Sequence, residues 1–178
     1  MSSICVFCGA KEGASPKYIE MAYYTGELIA KRGLKLIYGG GGGGLMGAVA
    51  SGAMAAGGQV HGIIPTKLIE RELAKRDITS MEEVPDMAVR KTKMIAQSDA
   101  FISLPGGLGT LDEMFEVMTL RQLSYHSKPV GLLNQDGYYD NLIAMCEGFL
   151  REGFVRDSEY RYLVVEKSPE ALLDRMFR

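Results

Sequence analysis

The stretch AFISLPGGLGTLDEMFEVMTLRQL at residues 100–123 carries the residues best suited to chemistry. Its opening apolar run predicts a buried strand, after which Gly106, Gly107 and Gly109 allow a tight turn whose backbone N–H groups point one way. Thr110 is the predicted N-cap of a helix with apolar residues at helical spacing. A glycine turn at a helix N-terminus binds anions, most often phosphate.

Three acids, Asp112, Glu113 and Glu116, lie in the first two turns of this helix, where they would repel a bound phosphate. One interpretation is structural, because Thr110-x-x-Glu113 matches a capping box and acids favour helix starts. The other is that at least one acid faces the part of a nucleotide that becomes positive during reaction, which makes Asp112 and Glu113 candidate substrate contacts. The local pattern by itself favours the capping box.

A second glycine run, the six glycines at residues 39–44, satisfies G-x-G-x-x-G trivially. A dinucleotide site would also need an acid at the end of the next strand, and residues 63–66 are Ile-Ile-Pro-Thr. A P-loop would need Gly-Lys-Ser/Thr, whereas Leu and Met follow this run. The run predicts either close helix–sheet packing or ligand contact through residues such as Gly41 and Gly42, and both interpretations stay open.

Arg90, Lys91 and Lys93 form a basic cluster at the start of another predicted helix, where the helix dipole disfavours cations. Such a cluster is usually a solvated face. This helix start is also expected near the same crevice, where a bound anion would offset the unfavourable dipole.

Apolar runs alternate with helical patterns along the whole chain, and these elements must position the candidate residues. Strands are predicted at residues 4–8, 34–38, 59–64, 100–104, 129–133 and 163–165. Helices are predicted at residues 16–32, 45–56, 67–75, 86–98, 110–123 and 138–152 and from 169 onward, with an ambiguous connector or edge strand at 78–84. The alternation predicts an α/β fold, with a mainly parallel sheet, helices on both faces and ligands beyond the carboxyl ends of the strands. Without a linker or composition break, residues 1–178 are expected to form a single domain.

Composition excludes several classes of function. The 178 residues are 47% hydrophobic and 24% charged, and 20 Lys+Arg against 22 Asp+Glu give a formal net charge of −2. This balance, without a basic run, argues against a nucleic-acid partner. We see no secretory signal and no apolar segment long enough to span a bilayer, so we expect no membrane partner and a cytoplasmic protein.

Cysteine and histidine usage predicts no metal site. Cys5 and Cys8 have C-x-x-C spacing, but positions i and i+3 of a strand point to opposite faces, so both are interpreted as structural thiols. With Cys146 they suit a reducing compartment. His61 and His126 are isolated in sequence, without a ligand-like neighbour.

Six motifs in order, CVFCG, GGGGGGLMG, MAVRK, LPGGLGTLDE, HSKPVGLLN and GYYDNL, resemble the Lonely Guy family from Cys5 to about Val155. Its members are cytokinin riboside 5′-monophosphate phosphoribohydrolases, long mislabelled as lysine decarboxylases. The resemblance implies a Rossmann-like doubly wound fold and hydrolysis of the N-glycosidic bond of a nucleoside 5′-monophosphate. It also implies a homodimer and no metal or organic cofactor. Helices bearing Met114, Met118, Met145 and Phe149 would offer apolar surface for a dimer, unless these residues face the sheet.

The same resemblance implies roles for individual residues. The family's essential arginine falls on Arg90 and its essential glutamate on Glu113. Further substrate-lining positions match Lys91, Glu72, Thr119 and the turn from Gly106 to Thr110. Family positions are altered at Ala10, Ala88, Leu108 and Leu120. These changes leave both a prenylated adenine and plain adenine open as the base.

In this chemistry Glu113 would stabilise oxocarbenium character on the ribose, or align water or a ribose hydroxyl. Arg90 stays protonated and would orient Glu113 or hold substrate oxygens. The sequence shows no obvious acid for the leaving base. A non-catalytic nucleotide or molybdenum-cofactor carrier is the alternative. Lysine decarboxylation is disfavoured, because no pyridoxal-phosphate lysine context is recognisable.

Overall fold

A seven-stranded parallel sheet forms the centre of the computed structural model, which describes residues 2–177. Its strands are β1 Ser3–Phe7, β2 Lys35–Tyr38, β3 Val60–Pro65, β4 Ser80–Val84, β5 Ala100–Ser103, β6 Val130–Leu133 and β7 Leu163–Glu166. The helices in this range are α1 Lys17–Lys31, α2 Gly44–Ala55, α3 Met87–Ala96, α4 Leu108–Gln122, α5 Asp140–Arg151 and α6 Pro169–Met176. The sequence prediction of an α/β fold with a mainly parallel, doubly wound sheet is confirmed.

The strand order is β4-β3-β2-β1-β5-β6-β7, so the chain reverses its direction of travel across the sheet after β4. Strand β1 therefore pairs with β2 on one side and with β5 on the other, with Val6 opposite both Tyr38 and Ile102. In such a sheet the crevice lies beyond the carboxyl ends of the strands at this reversal. The loops after β1, β2 and β5 all emerge there.

Two apolar layers cover the sheet because residues that alternate along each strand face opposite sides. Ile4 and Val6 lie in the layer with α1, α2 and α6, whereas Cys5 and Phe7 lie in the layer with α3, α4 and α5. Cys8 belongs to the first layer. The thiols of Cys5 and Cys8 thus lie on opposite faces, as strand geometry predicts, and both are free and buried.

The prediction of a helix at residues 67–75 is wrong. Only a 3₁₀ turn, Thr66–Leu68, forms there, and the chain then runs along the glycine loop. The N–H of Gly42 donates to the Glu72 carbonyl (3.0 Å), and Ala74 forms an antiparallel bridge with Gly41. Backbone groups that pair with the glycine loop cannot also form helical bonds, so the segment stays irregular.

The ambiguous segment at residues 78–84 resolves into β4, which pairs in parallel with β3 at the sheet edge. Within residues 2–177, no helix combines the length and the apolar character needed to cross a membrane.

Candidate active site

A cavity of about 490 Å³ opens at the carboxyl edge of the sheet, where the strand order reverses. Seven of the twelve candidate site residues line it, namely Glu72, Arg90, Gly106, Gly107, Gly109, Thr110 and Glu113. Its volume lies in the range of small-molecule sites.

The turn between β5 and α4 forms one wall of this cavity. Gly107 is the N-cap of α4 and makes no side-chain cap, and the first helical bond runs from the Leu111 N–H to the Gly107 carbonyl (3.1 Å). The N–H groups of Leu108, Gly109 and Thr110 therefore precede the helical ladder, and the helix dipole adds positive potential at the same end. This geometry can bind an anion, and the phosphate site that the glycine spacing indicates stays a prediction.

The predicted N-cap at Thr110 is wrong, because α4 begins two residues earlier, at Leu108. Thr110 is buried inside the first turn, where it packs against Gly106 so closely that a Cβ on Gly106 would lie 2.0 Å from its hydroxyl oxygen. The capping-box interpretation of Thr110 and Glu113 therefore fails. The carboxyl of Glu113 is left free to face the cavity.

Arg90 is a buried charge at the edge of the sheet, only 3% exposed. It lies on α3, whose N-cap Asp86 accepts a hydrogen bond from the Val89 N–H (2.9 Å). Its Nε donates to the Ile63 carbonyl (3.1 Å) and its Nη2 donates to the Gly39 carbonyl (2.6 Å). The guanidinium therefore ties the ends of β2 and β3 together.

The carboxylate partner of Arg90 is Glu72, at 3.0 Å from Nη2. Within the described residues no hydrogen bond joins Arg90 to Glu113, so the two candidate catalytic residues interact only through their charges. Glu72 is brought to Arg90 by the irregular segment that pairs with Gly42. This pair is not predicted from the sequence, since the two residues are 18 positions apart along the chain.

Glu113 has an unusual ionisation state. Burial is the main cause that raises the pKa of its carboxyl to about 7; the negative charges of Glu72 and Asp112 act in the same direction, and the positive charges of Arg90 and Lys91 oppose them. At neutral pH the residue is therefore present in both protonated and ionised forms. A carboxyl with this pKa can donate a proton in one form and stabilise positive charge in the other.

Lys91 and two of the acids of α4 lie outside the cavity wall. The Lys91 Nζ contacts Asp112 at 3.0 Å and Glu116 at 2.8 Å on the flank of α4, so its single positive charge offsets part of their combined negative charge. The repulsion that these acids would exert on a phosphate at the helix start is reduced accordingly. Thr119 is exposed and also lies outside the cavity.

Gly41 and Gly42 also lie away from the cavity lining. A Cβ on Gly42 would lie 2.3 Å from the Leu73 carbonyl oxygen, so this position requires close backbone packing. The two glycines hold the segment that carries Glu72 and do not face the cavity.

Two aromatic residues, Tyr18 and Tyr138, also line the cavity. Neither was among the candidate site residues predicted from the sequence. Their rings meet edge to face with centroids 5.8 Å apart. Tyr138 lies in the motif GYYDNL, which marked the position without indicating a role. In the described part of the chain, no group of three or more His, Cys, Asp or Glu residues could hold a metal ion.

Comparison with known proteins gives a consistent picture. A family model described as "Possible lysine decarboxylase" matches residues 46–176. A probable cytokinin riboside 5′-monophosphate phosphoribohydrolase of Oryza sativa subsp. japonica is 42% identical over 173 residues, covering 97% of this chain and 71% of that protein. A cytokinin riboside 5′-monophosphate phosphoribohydrolase of Arabidopsis thaliana is 43% identical, covering 97% of this chain and 80% of that protein.

Solved structures share the fold. The molybdenum cofactor binding protein of Rippkaea orientalis superposes with a TM-score of 0.75 at 28% identity, covering 98% of this chain and 94% of that one. The molybdenum cofactor carrier protein of Chlamydomonas reinhardtii gives a TM-score of 0.72 at 20% identity, with 98% and 96% coverage. At 20% identity the second likeness concerns the fold alone.

The raised pKa of Glu113 predicts a pH dependence of stability. Between the unfolded-state pKa of about 4.3 and the folded-state pKa, the native state binds more protons, so this group lowers the free energy of unfolding as pH rises. The difference in unfolding free energy between wild type and Glu113→Gln should therefore fall from about pH 4 to pH 7 and then level off. Urea unfolding at a series of pH values measures it.

Glu159→Gln is the control, because the pH dependence of its effect on stability should have the opposite sign. The Arg156 side chain hydrogen-bonds Glu159 and lowers the pKa of that carboxyl, so the stability it contributes is present above the unfolded-state pKa and is lost as the solution becomes more acidic. A wild-type-minus-Gln difference at Glu113 that stays flat or rises with pH would contradict the assignment.

Proposed function

We propose a function from one premise: the chain belongs to the family of cytokinin riboside 5′-monophosphate phosphoribohydrolases. The proposed reaction is hydrolysis of the N-glycosidic bond of an adenine or N6-substituted adenine nucleoside 5′-monophosphate. Its products are the free base and ribose 5-phosphate. The observation that carries this proposal is the presence of an anion-binding helix start and an unpaired carboxyl, Glu113, in one cavity.

The 5′-phosphate is placed at the turn from Gly106 to Thr110, where free N–H groups and the dipole of α4 favour an anion. Glu113 follows three residues after Thr110 on the same helix, so a nucleotide held by its phosphate presents its ribose toward this carboxyl. Apolar side chains of Leu45, Met46 and Met87 line the cavity and suit the flat face of a base. Both a plain and a prenylated adenine are retained as candidates.

Cleavage of the C–N bond builds positive charge on the ribose, which the ionised form of Glu113 stabilises. The protonated form can instead donate to a ring nitrogen of the leaving base, and the same carboxylate can then accept a proton from the attacking water. Arg90 supplies a fixed positive charge at the cavity wall, and we propose that it acts on substrate oxygens while Glu72 holds it in place.

Residues outside the cavity have indirect roles in this proposal. Lys91 offsets part of the charge of Asp112 beside the phosphate site, and Gly41 and Gly42 support the segment of Glu72. Thr119 is exposed, so nothing in the geometry connects it to substrate. We also propose a cytoplasmic location, which suits three free thiols.

The alternative is a carrier that binds a nucleotide or molybdenum cofactor without cleaving it. The free carboxyl of Glu113 favours the enzyme, because binding an anion would gain nothing from a buried acid beside it. Incubation with adenosine 5′-monophosphate (AMP) and chromatography for free adenine separates the two. A carrier would bind AMP and return it intact.

Activity should require the 5′-phosphate. We expect kcat/KM for AMP to exceed that for adenosine by roughly a hundredfold or more, because binding energy at the phosphate positions the ribose at Glu113. Parallel initial-rate measurements of adenine release give the ratio. Equal values for the two substrates would remove the turn from Gly106 to Thr110 as the phosphate site.

Glu113→Gln keeps the shape of the side chain and removes its charge and its acid. We expect kcat to fall by roughly a hundredfold or more with the fold intact, since the lost carboxylate faces the charge that develops in the transition state. Glu20→Gln, an exposed glutamate in the first turn of α1, is the control and should turn over normally. Near-normal adenine release by folded Glu113→Gln would exclude a catalytic role.

We further propose a homodimer. Met114 and Met118 do not form part of a dimer surface, because they are 1% and 7% exposed and face the sheet. Met145 on α5 is 63% exposed and Phe154 is 83% exposed. Both side chains therefore offer apolar surface that a second copy of the chain could cover.

Light scattering should therefore give twice the chain mass for wild type at micromolar concentration. Met145→Glu places a charge on the proposed surface and should shift the protein toward monomer. Glu20→Gln serves again as the matched surface control. A monomeric wild type would reject the dimer.

A further inference from the structure

Three successive carbonyl groups before α4 are each bound by a specific donor. The Leu104 carbonyl accepts from the Tyr139 hydroxyl (2.6 Å), and the Pro105 carbonyl accepts from the Gly9 N–H (3.1 Å). The Gly106 carbonyl accepts from the Tyr138 hydroxyl (2.7 Å). All three carbonyl oxygens are thereby committed to protein donors.

The bond at Gly106 fixes more than a carbonyl. In a trans peptide the C=O and the following N–H lie in one plane and point in opposite directions. The Tyr138 hydroxyl therefore also fixes the direction of the Gly107 N–H, at the cavity wall. Glycine on both sides of this peptide leaves it free to rotate, since neither residue has a Cβ that restricts its dihedral angles. A rotated peptide would turn an oxygen toward the anion site.

Tyr138 is 43% exposed, and the residues that follow it in the chain are anchored by hydrogen bonds. Asn134, at the end of β6, accepts from the Tyr139 N–H (2.7 Å) and donates to Asp140 (2.7 Å), which fixes the start of α5. The Tyr138 ring also packs edge to face against Tyr139, with centroids 4.8 Å apart. A rigid neighbour is what a positioning residue needs.

We propose that Tyr138 is a positioning residue for phosphate recognition, because its hydroxyl holds the Gly106–Gly107 peptide with the N–H toward the substrate 5′-phosphate. This inference rests on the proposed function only in the identity of the ligand. The hydroxyl acts through the peptide and takes no part in bond cleavage.

Tyr138→Phe removes the hydroxyl and keeps the ring. We expect kcat/KM for AMP to fall about tenfold, the effect of losing one good hydrogen bond to a charged group, and that for adenosine to change less than twofold. Affinity for ribose 5-phosphate, measured by titration calorimetry, should weaken by a similar factor. If the hydroxyl had only a structural role, kcat/KM would fall by the same factor for AMP and for adenosine.

Tyr139→Phe is the matched control within the same pair. It removes a hydroxyl that binds the Leu104 carbonyl, but the following residue is Pro105, which has no N–H to direct. The ratio of AMP to adenosine activity should therefore be unchanged, even if the protein unfolds at a lower temperature.

The outcomes separate this proposal from the proposed function. A wild type that binds ribose 5-phosphate but releases no adenine would refute hydrolysis, and the calorimetric comparison would still decide the role of Tyr138. Equal proportional loss for AMP and adenosine in Tyr138→Phe, or unchanged ribose 5-phosphate affinity, would overturn the positioning role.

Discussion

The buried guanidinium of Arg90 is the interaction on which the site depends. A charge that is 3% exposed needs hydrogen-bond partners, and the carbonyls of Gly39 and Ile63 together with Glu72 bind its Nε and Nη2 groups. Each partner constrains its own segment. A Cβ at position 39 would lie 2.0 Å from Nη2, which favours glycine there, and the Glu72 carbonyl is held by the Gly42 N–H.

Glu113 takes its properties from the same arrangement. Glu72 occupies the direct contact with Arg90, so the positive charge acts on Glu113 only at a distance, and burial outweighs it in raising the pKa of Glu113. Had Arg90 paired with Glu113, an ion pair would have stabilised the carboxylate and removed its capacity to give a proton. Glu72 therefore fixes the arginine, and Glu113 remains available for proton transfer.

Sequence reasoning recovered the strands and most helices because hydrophobic periodicity is a local signal, as in the buried run at residues 100–104. Prediction from the sequence failed where contacts with another part of the chain determine the local structure. The start of α4 depends on how Gly106 packs against Thr110, and residues 67–75 depend on pairing with Gly41 and Gly42. The pairing of Arg90 with Glu72 could not be predicted for the same reason, although the family resemblance had implied a role for each residue separately.

The fold by itself does not distinguish cleavage of a nucleotide from binding of a cofactor, because molybdenum cofactor binding and carrier proteins share this architecture. A carrier gains affinity from the glycine turn and the dipole of α4 and would lose some of it to any nearby negative charge. Lys91 pairs with Asp112 and Glu116 on the flank, whereas Glu113, in the cavity wall, has no ion-pair partner within residues 2–177. An unpaired acid weakens anion binding but can act on a bound nucleotide, and this difference between the paired and unpaired acids favours catalysis.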